Sequence, residues 1–185
     1  MGADLELDRF QSYLLLLARA RLDRKVRGKI DPSDIVQQTM MEAHQAVESF
    51  RGENVAAQAA WLRQILARNL ANAVRDLTRE KRDVRRERSL QADLDESASR
   101  LEGWLAAEQS TPSQQAQRHE RALRLAQALA DLPEQQRKAV VLRHFQGCSL
   151  AEIADELATT TAAVTGLLHR GLKNLRKALK ELEEP

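Results

Sequence analysis

Apolar residues recur at helical spacing from Phe10 onward, and the punctuation between the blocks consists of helix starts and stops. Residues 10–22 predict a first helix with Phe10, Tyr13, Leu14, Leu17 and Ala18 on one face, widened by Leu15 and Leu16, so most of it should be buried. Asp31 followed by Pro32 predicts a second start, with Asp34 favoured near the positive helix end. That helix should run to about Phe50 on a stripe of Val36, Met40, Ala43, Val47 and Phe50, which leaves Asp34, Gln37, Gln38, Met41 and Gln45 on other faces. Residues 50–54 break the pattern at Gly52, and Asn54 offers a cap. From about Ala57 a long helix carries Trp61, Leu62, Ile65, Leu66, Asn69, Leu70, Ala73, Val74 and Leu77 on one face, then becomes a basic rod ending at Arg88.

Between residues 89 and 110 the charge changes sign, with Asp93, Asp95, Glu96, Glu102 and Glu108 against Arg100. The apolar period fades there, which predicts an acidic flexible linker. Ser110, Thr111 and Pro112 then open another helix with Ala122, Leu125, Ala126 and Leu129 inward, and Leu132 closes it before Pro133 begins the next, which stops at Gly147. Ser149 and Glu152 have the spacing of a capping box before Leu150, Ile153, Ala154 and Leu157. Thr159, Thr160 and Thr161 supply caps for a last helix. That helix carries an apolar stripe from Val164 to Leu182, with Arg170, Lys173, Arg176, Lys177 and Lys180 beside it. Two capped helices joined by a short turn have the form of a helix-turn-helix, which sets the start of its second helix against base edges in a major groove. The predicted architecture is all-α. Two small helical domains, residues 1–88 and 111–185, are joined by the linker at 89–110, and the second is a four-helix domain ending in the helix-turn-helix.

Composition narrows the chemistry. The chain is 3% aromatic with few Gly or Pro, which disfavours a β-sandwich, and its 185 residues suffice for one or two cores without covalent staples. Cys148 is the sole cysteine, so an intrachain disulfide framework is excluded and a reducing cytosol fits. The apolar run from Tyr13 to Ala18 is too short for a membrane span, and Asp4, Glu6 and Asp8 precede it where a signal peptide carries basic residues, so a soluble cytoplasmic protein is expected. A net charge of +2 means that nucleic-acid affinity must come from local basic faces. His44, His119, His144 and His169 are scattered, with no pair at metal-ligand spacing, and no phosphate loop or nucleophile motif accompanies them. No catalytic residue, metal or cofactor is implied. The Ser149 to Leu179 stretch alone fits a helix-turn-helix regulator with a sensing or dimerising first domain equally well, and the weak basic content of Thr161 to Leu168 slightly favours a helical adaptor that never touches DNA.

Five segments in order resemble one family. Residues 34–40 (Asp-Ile-Val-Gln-Gln-Thr-Met) resemble the second-helix motif of region two in bacterial sigma factors of the extracytoplasmic function (ECF) group, and Phe50-Arg51-Gly52 resembles the loop after it. Residues 60–70 resemble the next helix, while residues 132–137 (Leu-Pro-Glu-Gln-Gln-Arg) and 149–154 (Ser-Leu-Ala-Glu-Ile-Ala) resemble the opening helices of region four. The resemblance implies a sigma factor that directs promoter-specific initiation by RNA polymerase core enzyme, with promoter DNA as its second partner and an anti-sigma factor as a third that the family admits. It implies docking on the polymerase clamp through Asp34, Gln37 and Gln38, the last standing where the family often has glutamate. It implies contacts to the minus-ten element from Arg51, Asn54, Arg63, Asn69 and Arg75, with a non-template base flipped into a loop pocket. It implies reading of the minus-thirty-five element by Thr160, Thr161, Thr165, His169, Arg170 and Lys173. The first turn of this recognition helix departs from the family pattern, holding Thr161, Ala162 and Ala163 where acidic or glycine residues are usual, so base reading falls to hydroxyls and small apolar contacts.

Overall fold

A computed structural model of the chain describes residues 6–22, 29–52, 54–78, 84–105 and 112–181. All regular secondary structure among them is helical. After a 3-10 turn at Leu7–Phe10, the helices are α1 (Gln11–Arg21), α2 (Pro32–Ala46), α3 (Val55–Thr78), α4 (Val84–Leu105), α5 (Pro112–Ala130), α6 (Glu134–His144), α7 (Leu150–Glu156) and α8 (Thr161–Glu181). The basic stretches at 23–28 and 79–83, and the side chains of Arg85, Arg86 and Arg88, lie outside the described residues.

α1 is apolar on nearly every side because it is surrounded. It packs against α2, α3, α4, α5 and α6, with Tyr13, Leu14, Leu16, Leu17, Ala18 and Ala20 all buried. Leu62, Leu66 and Leu70 of α3 and Leu125 and Leu129 of α5 complete this core. Each buried leucine contributes about 1.5–3 kcal/mol relative to exposure. The predicted starts are present: the Asp31 carboxylate accepts from Ser33 N at 2.8 Å with Pro32 at the first helical position, and Asn54 Oδ1 accepts from Ala57 N at 2.8 Å. α2 ends at Ala46, earlier than the stripe suggested, in a 3-10 turn at Val47–Ser49.

Residues 89–105 depart from the sequence reading. The expected flexible tether is instead the body of α4, which packs on α3, α5 and α1. Leu94, Ala98 and Leu101 are buried and Leu90 is half-buried, a stepping of four, four and three that is helical after all. The acidic residues do not expand the chain because arginines meet them. Arg63 Nε lies 2.6 Å from Asp95 Oδ1, and Arg21 reaches Asp93 at 4.0 Å and Glu96 at 3.8 Å. Residues 106–110 of the expected linker lie outside the described residues.

One continuous apolar cluster therefore runs from Leu7 to Leu175, across the boundary that the sequence suggested. Polar ties follow the same seam. Ser12 Oγ donates to Gln127 Oε1 at 2.9 Å, Gln146 Nε2 donates to the Arg19 carbonyl at 2.9 Å, and Arg9 pairs with Glu120. A second small core of Ala139, Leu142, Ile153, Ala154 and Val164 belongs to α6, α7 and the start of α8.

Candidate nucleic-acid interface

The helix-turn-helix is held by local geometry at each joint. Gly147 takes a φ of +71°, turning the chain so that Cys148 N donates to the Leu142 carbonyl at 3.0 Å. Ser149 then caps α7 with the full reciprocal box: Glu152 N donates to Ser149 Oγ at 3.2 Å and Ser149 N donates to the Glu152 carboxylate at 2.7 Å. The Ser149 backbone bond is the main reason the Glu152 carboxyl stays below the usual carboxylate range. α7 ends at Glu156 with Leu157 as its C-cap, and the next residue, Ala158, adopts a left-handed φ of 49°. Thr159 N reaches back to the Ala154 carbonyl at 2.9 Å and Ala158 N to that of Asp155 at 3.3 Å, the two bonds of a Schellman turn. Thr160 Oγ1 accepts from Ala163 N at 3.2 Å and so starts α8 as its N-cap.

Val164 at 0% exposure fixes the rotation of α8, and at Gly171 a Cβ would meet Val140 at 3.0 Å, so glycine sets the close crossing with α6. Thr161, Ala162, Thr165, His169, Arg170 and Lys173 are all exposed in consequence. The Thr165 hydroxyl donates to the Thr161 carbonyl at 3.0 Å, so its oxygen keeps the capacity to accept a hydrogen bond. Arg170 lies back over Gly166, where a Cβ would come within 3.2 Å of its Nη1. The predicted set is thus one continuous surface, apart from Thr160, whose oxygen is committed to the cap. Arg176 and Lys180 extend it by further exposed turns; the sequence reading noted their charge but left them out of the site.

Asp34, Gln37 and Gln38 also share one exposed face of α2. Gln38 Nε2 donates to Glu42 Oε1 at 2.8 Å, and Glu42 in turn pairs with Arg68 of α3. Burial opposes ionisation of Glu42, but the bonds from Gln38 and Arg68 outweigh it and hold the carboxyl below its ordinary value. A carboxylate one turn on thus stands beside the amide at the position where the resembling family often has glutamate. Met41, 55% exposed, lies on the same face three residues beyond Gln38, and His44 and Gln45 continue it. The spacing of these residues from Gln37 and Gln38 was the signal available in the sequence.

The minus-ten set does not form one surface. Arg51 and Asn54 are exposed on the loop before α3, where Arg51 Nη1 donates to the Glu48 carbonyl at 2.6 Å. The loop is tightly built, since a Cβ on Gly52 would fall 2.2 Å from the Phe50 ring, which packs on Trp61 with centroids 4.9 Å apart. Arg63 points inward between α1 and α4. Its side chain is 11% exposed, bonded to Asp95 and, at 2.8 Å, to Tyr13 Oη. Burial alone would favour the neutral form, and these two partners outweigh it to hold the guanidinium charged. Asn69 is buried, with its Nδ2 3.2 Å from Thr39 Oγ1 of α2, and Arg75 pairs with the adjacent Asp76. Residues six apart on a helix differ by about 240° in direction, so Arg63, Asn69 and Arg75 face three ways.

Comparison with known proteins adds to this geometry. The family description "Sigma-70 region 2" matches residues 8–80 and "Sigma-70, region 4" matches residues 122–175. The chain is 32% identical over 149 residues to the ECF RNA polymerase sigma factor SigL of Mycobacterium tuberculosis, covering 80% of this chain and 75% of that one. The chain belongs to the ECF group of sigma-70 factors. It is also 29% identical over 159 residues to the ECF sigma factor SigX of Bacillus subtilis, covering 86% of this chain and 76% of the relative. The crystallised sigma factor RpoE of Bartonella quintana, in complex with the anti-sigma factor NepR, aligns over 95% of this chain and 94% of its own at 21% identity, with a TM-score of 0.34 that adds no argument. In this sigma factor region two spans α1 to α3, region four runs from within α5 into α8, and α4 lies between the matched segments. No described helix is long and apolar enough to cross a membrane, and no described group of His, Cys, Asp or Glu could hold a metal.

Proposed function

We propose that this sigma factor, which directs promoter-specific transcription initiation with RNA polymerase, divides that work between three surfaces. The α2 face of Asp34, Gln37 and Gln38, with Met41 as its apolar centre, docks on core polymerase. The loop bearing Arg51 and Asn54 meets the minus-ten element together with Arg75, while Asn69 holds α2 and α3 in register beneath it. The exposed face of α8 reads the minus-thirty-five element: Thr161, Ala162 and Thr165 meet base edges and thymine methyls, and His169, Arg170 and Lys173 meet phosphates. Its role is that of a non-enzymatic cytoplasmic subunit. The observation carrying the proposal is the contrast in chemistry between the two exposed helix faces, one amide-rich with an apolar centre and the other cationic.

The test is run-off transcription with purified bacterial core enzyme on a promoter library, comparing wild type with an Asp34→Lys/Gln37→Ala variant and with Thr161→Ala and Thr165→Ala. The α2 variant should lose core binding while remaining folded. The α8 variants should keep core binding and change the upstream sequence selected, at a cost of about 1–3 kcal/mol per base contact. Unchanged selectivity in both α8 variants would remove those threonines from the reading surface.

A further inference from the structure

The seam between region two and region four encloses a cavity of about 280 Å³. Region two supplies Arg19 from the last turn of α1 and Pro32 from the start of α2, while region four supplies Arg137, Lys138, Val141 and Leu142 of α6 and Leu157 after α7. Small-molecule sites begin at about 300 Å³ and combine apolar walls with a few charged side chains, so both the size and the make-up suit a compact ligand.

The cations of this cavity are not matched by its anions. Among the described residues no carboxylate stands within ion-pairing distance of the Arg19 guanidinium. Burial and then the like charge of Arg137 push it below its ordinary value, and Asp31 and Glu134 pull the other way without reversing the shift. Arg137 donates from Nη1 to the Ala130 carbonyl at 2.8 Å and to that of Leu132 at 3.4 Å. Carbonyls carry no formal charge, so these bonds fix the guanidinium without neutralising it. Of the acidic lining residues, Glu134 is bound to Lys138 at 2.6 Å, and Glu156 is not free either. The larger cavity beside α4, about 700 Å³, lacks this imbalance because its arginines, Arg21 and Arg100, already meet Asp93 and Glu96. Two guanidiniums lining one cavity repel each other, and an anion between them turns that repulsion into two attractions. Their planar forks match the oxygens of a phosphate or carboxylate.

We propose that this cavity is a binding site for a small organic anion, a phosphate or carboxylate head on a compact apolar body, held by Arg19 of region two and Arg137 of region four. The apolar body rests against Val141, Leu142 and Leu157, and Lys138 adds attraction from a more exposed position. The site is separate from the three surfaces assigned above and shares no residue with them. Because its two guanidiniums come from different regions, an occupied site ties α1 to α6 and stabilises the folded chain by mass action.

The experiment titrates phenyl phosphate and benzoate into the full chain, with phenol as the uncharged control, and follows isothermal calorimetry and thermal melting at fixed ionic strength. At least one of the two anions should bind at a single saturable site and raise the melting temperature as its concentration increases, whereas phenol should do neither. The tighter anion identifies the head group. Arg19→Gln should weaken binding about tenfold or more, Arg19→Lys should restore part of the loss, and Lys138→Glu should also weaken it about tenfold. The exposed side chain of Lys138 keeps the test decisive where Arg19→Gln folds poorly by circular dichroism. Because the cationic face of α8 also attracts anions, an Arg170→Ala/Lys173→Ala variant is titrated alongside and should bind the probe as wild type does. Absence of a saturable site for both anions overturns the proposal. So does binding that survives Arg19→Gln or Lys138→Glu in a folded chain, or that disappears with the α8 residues. No polymerase or DNA enters the measurement, so its outcome is independent of the promoter-reading roles.

Discussion

α3 and α8 both carry a ladder of arginines or lysines, yet only α8 presents it. Residues 160–180 contain no Asp or Glu, and His169, Arg170, Lys173, Arg176 and Lys180 are exposed. On α3, Arg63, Arg68 and Arg75 each stand against a carboxylate, that of Asp95, Glu42 or Asp76. The solvent-accessible Arg75–Asp76 pair contributes little, whereas Arg63 is enclosed. Basic residues in a sequence therefore mark a nucleic-acid surface only after intramolecular partners are subtracted. The partners of Arg63 lie 50 residues before it and 32 after it.

The most severe way to break this comparison is to unseat α4. Leu94 is 0% exposed, so Leu94→Ala should lower unfolding stability by about 2–5 kcal/mol in a denaturant titration read by circular dichroism. A flexible tether would show almost no change at that position. Asn69 comes next. Because its amide is buried against Thr39, Asn69→Ala should cost about 1–3 kcal/mol of stability, and any loss of promoter binding should follow the loss of folded protein. A promoter defect in fully folded Asn69→Ala protein would return this residue to the DNA surface.

Much of the fold was legible because its signals are local. Pro after Asp31, the Ser149 and Glu152 box and the apolar stripes of α1, α5 and α8 each depend on residues within a few turns. α4 was misread because its carboxylates were weighed against neighbours in the chain, where Arg100 alone counters them, and not against Arg21 and Arg63 across the interior. The stepping from Leu90 to Leu101 is present in the sequence, but the apolar period fades around Leu101, and with the change of charge sign that points to a linker. The exposed faces of α2 and α8 were legible as faces, since their members recur at three and four. The α3 set rests on the family resemblance, although a spacing of six places Arg63, Asn69 and Arg75 on different sides of the helix.

The same contrast should appear in salt dependence. Replacing Arg170 or Lys173 with alanine should weaken promoter binding across sequences and shallow the slope of log affinity against log salt by about one unit each. Arg63→Ala should leave that slope unchanged, because Asp95 and Tyr13 already hold the guanidinium inside the fold. Smaller still is the capping box, where Ser149→Ala should cost about 1 kcal/mol. Glu152, held below its ordinary value by the Ser149 bonds, adds stability that is present above the unfolded carboxyl value and lost as pH falls through the folded one. The difference between wild type and a Glu152→Gln variant should accordingly shrink on acidification.

The smallest effect sits in the turn that aims α8. Ala158 holds a left-handed φ of 49°, a conformation that its Cβ makes costly by about 1–2 kcal/mol and that glycine adopts freely. Glycine gives back part of that gain through the larger entropy of the unfolded chain, about 0.5–1 kcal/mol. Ala158→Gly should therefore stabilise the protein by about 0.5–1 kcal/mol, a rise in melting temperature of roughly 1–4 °C for a chain of this size. Thr159 N and Ala158 N would keep their bonds to the Ala154 and Asp155 carbonyls, and the Thr160 cap is untouched, so α8 should stay in place and promoter selectivity should not change. A loss of stability in this variant would mean that the turn is not left-handed at Ala158. The rotation of the exposed α8 face would then need another cause than the Schellman turn and the threonine cap.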